Sequence, residues 1–355
     1  MRYLHVHRVT AAAMALGVTA FSVAACSSSN NNSGGGSSSL SGTLNASGST
    51  FQLTFQQAAI QAYKSVQPNI TVNYGGGGSG KGRTDLASGT VNFAGSDSPI
   101  PSDEMPNFKG KTVLYFPVII GPITISYNLP GVKSLKLTPT VIANIFQGKI
   151  TKWNDPAIAA INSGVSLPST PITIARRSDS SGTTANFSLF LQDAVPSVWK
   201  LGSSSTINWP ASSRGGSGNG GVAQIIKSTP GAIGYVDYSD AKASGLAYAS
   251  VQNADGNYVT PSVAAATAAA QQATVAPNLT FAAVWAHGST AYPITYQSWD
   301  LVYAKQPSKK TADLLKAYLG YLLGDGQKLL PSLSYAPLPA NIDAKAKAQL
   351  SKITS

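Results

Sequence analysis

Cysteine and histidine are almost absent from this 355-residue chain. The single cysteine, Cys26, leaves no partner for an internal disulfide. Two of the three histidines, His5 and His7, sit at the very start, so a chain shortened there keeps only His287. That excludes a multi-histidine metal centre and a cysteine–histidine nucleophile pair. A Ser-His-Asp triad would need His287, yet Ala286-His287-Gly288-Ser289 has no nucleophile-elbow pattern near it. Acidic residues are also scarce, 14 against 25 basic ones. Beyond Ala25 no run approaches the roughly 20 apolar residues of a membrane span. The chain is poorly equipped for covalent or metal-dependent catalysis, and no cofactor or metal is implied.

The start of the chain carries a processing signal. Arg2 and Arg8 form a basic region, Val9 to Ala25 is apolar with small residues, and the stretch closes on Val23-Ala24-Ala25-Cys26. This looks like a lipobox, the site at which the cysteine is diacylated and becomes the first mature residue. The expectation is a signal peptide over 1–25 and a lipid anchor on Cys26, on the extracytoplasmic face of the cell membrane. A plain signal peptide with an incidental cysteine is the alternative. Ser27 to Ser39 is a Ser/Asn/Gly tether too polar to pack, so 26–40 reads as a flexible linker. Taking Arg2 and Arg8 from the 25 basic residues leaves 23 against 14 acids, a net of +9. Such an excess suits anionic ligands or an anionic envelope; export and the lack of a dense basic run disfavour nucleic acid.

What is present is a series of strands that end in glycine- or hydroxyl-rich turns. The central one is Ile172-Thr173-Ile174-Ala175-Arg176-Arg177-Ser178-Asp179-Ser180-Ser181-Gly182-Thr183-Thr184, followed by the apolar-periodic Ala185 to Leu191. It reads as strand, loop and helix, with Ser181, Gly182 and Thr183 at the helix start. The first amides of a helix lack internal partners and carry the positive end of its dipole, so they suit an oxyanion. Arg177 adds a fork of donors, Ser181 and Thr183 add hydroxyls, and strand alternation turns Arg176 the other way. An ordinary N-cap beside two surface arginines is the plainer alternative.

Three further turns have the same character. Gly42 to Phe51 reads as strand and glycine turn, with a helix following to about Val66. Ile70 to Tyr74 is a strand leading into Gly75-Gly76-Gly77-Gly78-Ser79-Gly80-Lys81-Gly82. That spacing nearly fits a P-loop, but glycine occupies position 82 where a magnesium-binding hydroxyl is required, so nucleotide hydrolysis is rejected. What survives is a backbone able to approach an anion, with Ser79 as donor, or simply a flexible turn. Gly89 to Asp97 is a short strand ending at an acid.

Val113 to Tyr127 is a nearly uncharged run expected to form a strand buried on both faces. Short helices are expected over Thr138–Ile150 and Trp153–Ile161, a glycine loop at Arg214–Gly221 leading into a helix, and a strand at Ala232–Val236. Ser262–Thr274 and Ala312–Leu323 complete the helices, the latter with an apolar stripe. Alternating strands and helices indicate an α/β fold with largely parallel sheets, whose turns gather where ligands bind.

These residues also carry a resemblance. Gly48-Ser49-Thr50-Phe51, Gly78-Ser79, Phe93-Ala94-Gly95-Ser96-Asp97 and Arg176 through Thr183 resemble the phosphate-binding proteins of bacterial ABC phosphate importers. Gly148-Lys149-Ile150-Thr151-Lys152-Trp153-Asn154-Asp155, Gly231 through Val236 and Tyr335-Ala336-Pro337-Leu338-Pro339 extend it to the C-terminus. The resemblance implies a two-lobed, type II periplasmic-binding fold that closes like a flytrap on one inorganic phosphate ion. It implies ligand contacts from the Thr50 hydroxyl and amide, the Phe51 amide, Ser79, Asp97, Arg177, Ser181, the Gly182 amide and Thr183, with Asp179 holding the arginine. A local Asx-turn is the alternative for Asp179, and a strand-end turn acid for Asp97. The lobes would be 41–121 with 240–355, and 122–239, hinged near Ile120-Gly121-Pro122 and Val236-Asp237-Tyr238. The implied partners are ABC permease subunits and, through Cys26, the membrane; the protein would be a monomer. Lys81 and Arg83 depart from the pattern and would either face solvent or strengthen the field at the mouth. A receptor for sulfate or molybdate, an extracellular phosphate-ester hydrolase and a surface adhesin are the rival readings.

Overall fold

The computed structural model describes residues 40–355; Cys26 and nearly all of the segments expected to be a signal peptide and a tether lie outside the described residues. In chain order the strands are β1 (Gly42–Gly48), β2 (Ile70–Gly75), β3 (Phe93–Ser96), β4 (Val113–Tyr127), β5 (Lys136–Leu137) and β6 (Thr173–Arg177). They continue with β7 (Arg214–Gly216), β8 (Ala232–Asp237), β9 (Ala247–Tyr248), β10 (Ser250–Gln252), β11 (Tyr258–Val259) and β12 (Thr295–Tyr303). The helices are α1 (Leu53–Val66), α2 (Ser79–Ser88), α3 (Pro139–Phe146), α4 (Pro156–Ala159) and α5 (Gly182–Ala194). After them come α6 (Gly218–Ser228), α7 (Tyr238–Ala243), α8 (Val263–Ala270), α9 (Lys309–Leu323) and α10 (Ala340–Gln349). Among the described residues no helix is long and apolar enough to cross a membrane.

Nine strands form one sheet in the order β2-β1-β3-β12-β4-β8-β6-β7, with β9 alongside β4. Its flanks are parallel, β1 with β2 and β3, and β6 with β7 and β8. The centre is antiparallel: β12 runs against β3 and β4, and β4 against β8 and β9. The expectation of largely parallel sheets therefore holds only at the flanks. Helical crossovers build the parallel flanks. The middle is made instead by one long strand and by a strand returning from far down the chain.

That long strand is the spine. From Leu114 onward β4 is buried throughout, as its uncharged composition requires. Val113 to Pro122 pair with β12, and Ile123 to Tyr127 pair with β8. The partner changes between Pro122 and Ile123. Phe55, Phe116, Ile119, Trp299 and Leu319 belong to the main hydrophobic cluster, and a smaller one under α6 contains Ala175, Val222, Ile226 and Val236.

Helix ends follow local chemistry. Thr138 caps α3 ahead of Pro139, Ser181 caps α5, Ser262 caps α8 and Ser308 caps α9, each accepting a hydrogen bond from an amide of the first turn. The helix expected over Trp153–Ile161 is confined to Pro156–Ala159. Trp153 is held outside it because its amide donates to Thr170 and its indole N–H donates to the Gly231 carbonyl, and a residue preceding proline avoids helical geometry. The glycine loop at Arg214–Gly221 includes β7 before α6 begins.

Gly48, the last residue of β1, has φ +135° and lies so close to β3 that a Cβ would stand 2.1 Å from the Gly95 carbonyl oxygen. Neither the dihedral nor the space suits a side chain. Gly48→Ala should lower the unfolding free energy by about 2–4 kcal/mol, read from urea denaturation. Unchanged stability would mean that β1 and β3 do not approach in this way.

Candidate functional site

Four helices begin in one small region. α1 starts after Ser49-Thr50-Phe51-Gln52, α2 starts at Ser79, α5 at Gly182 and α6 at Gly218. Close approaches bring their first turns together. A Cβ on Gly182 would sit 2.4 Å from Ser79 Oγ and 2.5 Å from Asp97 Cβ, and one on Gly78 would overlap Asp179 and Ser180. The Gly80 amide donates to the Ser180 carbonyl at 3.0 Å, and the Asn219 amide donates to Thr50 Oγ1 at 3.3 Å. Converging helix N-termini gather first-turn amides and positive dipole ends around one point, which suits an anion.

Arg177, at the end of β6, is 3% exposed, so its charge depends on protein partners. Nε donates to Asp179 Oδ1 at 2.9 Å and Nη2 to Asp179 Oδ2, giving a two-pronged ion pair. Nη1 donates to Thr183 Oγ1 at 3.3 Å and to Asn219 Oδ1 at 3.2 Å. The Asp179 carboxyl would be raised by burial, but the Arg177 guanidinium and the Gly218 amide bring it below the ordinary value. Its partners are therefore more than those of a local turn. Arg176 points elsewhere, donating to Ser213 Oγ and the Arg177 carbonyl.

Asp97 follows β3 and is 1% exposed. Burial pushes its carboxyl up; hydroxyl bonds from Ser298, Ser49 and Ser79 and the positive charge of Arg177 oppose that. Ser79 Oγ accepts from the Asp97 amide at 3.0 Å and lies 3.4 Å from Oδ2. Asn186 of α5 donates to both the Asp97 and Gly182 carbonyls, tying β3 to the start of α5.

The structure thus brings Thr50, Ser79, Asp97, Arg177, Asp179, Ser181, Gly182 and Thr183 into one cluster. Ser181 Oγ accepts from the Thr184 amide as the α5 cap and keeps its own proton to donate. Phe51 is adjacent, but its amide donates to Ser49 Oγ at 3.1 Å rather than standing free, and its ring stacks on Tyr296 at 4.0 Å. Lys81 and Arg83 have different fates. Lys81 is exposed and pairs with Asp85, whereas Arg83 is fully buried in a two-pronged pair with Glu104 and does not face solvent. The two serine hydroxyls beside it, on Ser96 and Ser98, complete its bonding. The open hollow lined by Arg83, Glu104 and Phe108 contains none of the clustered residues.

Several contributors were not assigned to the site from the sequence: Ser49, Asn219, Tyr235 and Ser298. Tyr235 Oη accepts from the Arg177 amide and bonds Thr184 Oγ1, joining the end of β6 to the first turn of α5. Ser49 and Tyr235 stood within motifs that carry the resemblance and Asn219 within the glycine loop before α6, though none was assigned to the site; Ser298 had no local signal. His287 bonds Asp255 at the exposed surface, and among the described residues no group of His, Cys, Asp and Glu could hold a metal ion.

Fold and site together define a binding protein of the periplasmic type: residues 33–326 match the family model for the PBP superfamily domain. The phosphate-binding protein PstS 2 of Mycobacterium tuberculosis is 35% identical over 323 residues, covering 88% of this chain and 87% of that one. PstS of Pasteurella multocida is 34% identical over 313 residues, covering 86% and 89%. The chain belongs to this PstS family of phosphate-binding proteins. Its fold is shared with a high-affinity periplasmic phosphate-binding protein solved with phosphate (TM-score 0.71, 20% identity, 87% and 94% covered). A phosphate-binding protein from Stenotrophomonas maltophilia gives a TM-score of 0.69 at 19% identity, with 86% and 93% covered.

Asp179→Asn would leave the Arg177 charge buried without its counter-ion, at a cost of about 3–5 kcal/mol in unfolding free energy. The folded Asp179 carboxyl lies below its unfolded value of about 3.9, so the pair's contribution is complete above that pH. It is lost as pH falls through the folded value. Denaturation curves of the two proteins should differ fully near neutrality and converge in strong acid.

Proposed function

We propose that this protein captures inorganic phosphate outside the cytoplasmic membrane and delivers it to the permease subunits of an ABC importer. One observation carries the reading: many donors and a single buried carboxylate meet at one point. Thr50, Ser79, Arg177, Ser181, Gly182 and Thr183 supply hydroxyls, amides and a guanidinium; Asp97 supplies an acceptor. A carboxylate against a fully deprotonated anion costs several kcal/mol of unmet pairing. Phosphate near neutral pH still carries a proton and can donate it to Asp97, whereas sulfate cannot. Asp97 is then the selectivity element, acting by rejection rather than by shape.

Binding proceeds by closure of two lobes, 41–121 with 240–355 and 122–239. The switch of β4 from β12 to β8 after Pro122, opposite Asp237, supports a hinge at these two crossings. Asp179 holds the arginine fork in its binding orientation. Cys26 carries the lipid anchor, and the protein works as a monomer that performs no chemistry on its ligand. Names of relatives covering most of both chains, all called phosphate-binding, support the substrate.

Calorimetric titration should give tight phosphate binding and far weaker sulfate binding; equal affinities would refute the role of Asp97. A chain that prefers sulfate or molybdate would favour the rival oxyanion receptor, and phosphate-ester turnover would favour a hydrolase. In the same titration Arg177→Ala should weaken phosphate binding by more than about 2 kcal/mol, since a charge-assisted contact is lost. A near-neutral effect would remove Arg177 from the ligand shell.

A further inference from the structure

We propose that Ser298 is a positioning residue that holds Asp97 as a bare acceptor and thereby sets the discrimination between protonated and fully deprotonated oxyanions. The proposal rests on the phosphate reading above and assigns the source of its selectivity.

Ser298 lies on β12 at a bulge. Ser298 is opposite Ile119 and Trp299 opposite Pro117, so Val118 of β4 has no counterpart, and its carbonyl accepts from Gln327 instead. Bulges re-aim neighbouring side chains, and here the Ser298 hydroxyl reaches Asp97 Oδ1. The direction of that bond follows from a row of buried side chains. Tyr318 Oη donates to Gln56 Oε1 at 2.7 Å, and Gln56 Nε2 donates to Gln52 Oε1 at 2.9 Å and to Asp300. Gln52 Nε2 donates to Ser298 Oγ at 2.8 Å and to the Trp299 carbonyl at 2.9 Å.

A carbonyl can only accept, so the Trp299 carbonyl fixes which end of the Gln52 amide faces Ser298. Ser298 must then accept from Gln52, and its one proton goes outward. Of its two acceptors, Asp97 Oδ1 is nearer than the Ser96 carbonyl at 3.3 Å. From Tyr318 through Gln56 and Gln52 to Ser298, each bond between successive members runs toward Asp97. Oδ1 is occupied by the Ser298 donor; Oδ2, against which Gly182 packs, has a long 3.4 Å contact from Ser79 Oγ and keeps acceptor capacity to test the ligand.

The charged and titratable groups facing Asp97 are Arg177 from β6, Tyr74 from β2 and Tyr296 from β12. Asp300 lies deeper in the row, with its carboxyl pushed up to about 8 by burial. Burial pushes the Asp97 carboxyl up, and the Ser298 bond is the foremost influence opposing it. Without that hydroxyl, Asp97 takes up a proton at higher pH and becomes a donor. A donor is what a fully deprotonated dianion accepts, so rejection by an unmet pair fails.

The test is calorimetry of the unaltered chain, Ser298→Ala, Ser298→Thr and Gln52→Met with phosphate and with sulfate, between about pH 5.5 and about pH 8.5, a window reached by buried carboxyls. The phosphate-to-sulfate affinity ratio should fall at least about tenfold in Ser298→Ala, comparable to one bond to a charged group. The loss should be larger toward acid pH and absent in Ser298→Thr. Gln52→Met keeps the hydroxyl but frees its direction, and should lower the ratio in the same sense. Equal weakening of both ions at every pH, or an unchanged ratio in Gln52→Met, would overturn the proposal. An unaltered chain that binds no phosphate would overturn the phosphate reading itself, and would do so before any substitution is made.

Discussion

A guanidinium and a carboxylate buried within reach of each other leave no room for idle neighbours. Each charge removed from water must be met by protein groups of fixed direction, because the cost of an unmet one exceeds what most single contacts return. Arg177 is met by Asp179, Thr183 and Asn219, and Asp97 by three serine hydroxyls. Those partners come from the turn after β6, from α5, α6, α2 and β12, and from the turn before α1. Meeting two charges therefore fixes the arrangement of much of the sheet.

Close approach follows from the same demand. Gly182 lies against Ser79 and Asp97, and Gly78 against Asp179, where any side chain would separate the groups that must touch. Four helices starting at one place add partial positive charge without adding a titratable group. An excess of donors around one acceptor leaves capacity for a small guest rich in acceptors that still has a proton to give. Arg83 illustrates the contrary case. It is as buried as Arg177 and similarly bonded, to Glu104 and two hydroxyls, but the hollow it lines contains none of the clustered residues.

Much of this was legible in the sequence, and the parts that were not share a cause. The unit running from Thr173 through Ala194, the buried run from Val113 to Tyr127, and the helices starting near Thr138 and Ser262 all arise from short-range chemistry: β-branched runs, hydroxyls before helices, glycine at turns. Trp153 misled because its bonds to Thr170 and Gly231 override a local helical pattern. The antiparallel centre of the sheet was likewise hidden, since strand direction there depends on β12, which reaches β4 only after most of the chain has folded back.

By itself, then, the sequence determined the repeated strand–turn–helix units and the residue types at their turns, including the paired arginines and the single acid after β3. Only the tertiary structure decided which hydroxyls meet that acid, that Asn219 and Tyr235 brace Arg177, and that Arg83 is spent on Glu104. Ser298 stands 201 residues from Asp97, and no periodicity or motif spans such a distance. Local propensity acts over a turn or two of chain; the direction of a buried hydrogen bond is settled by whichever groups packing has left without water.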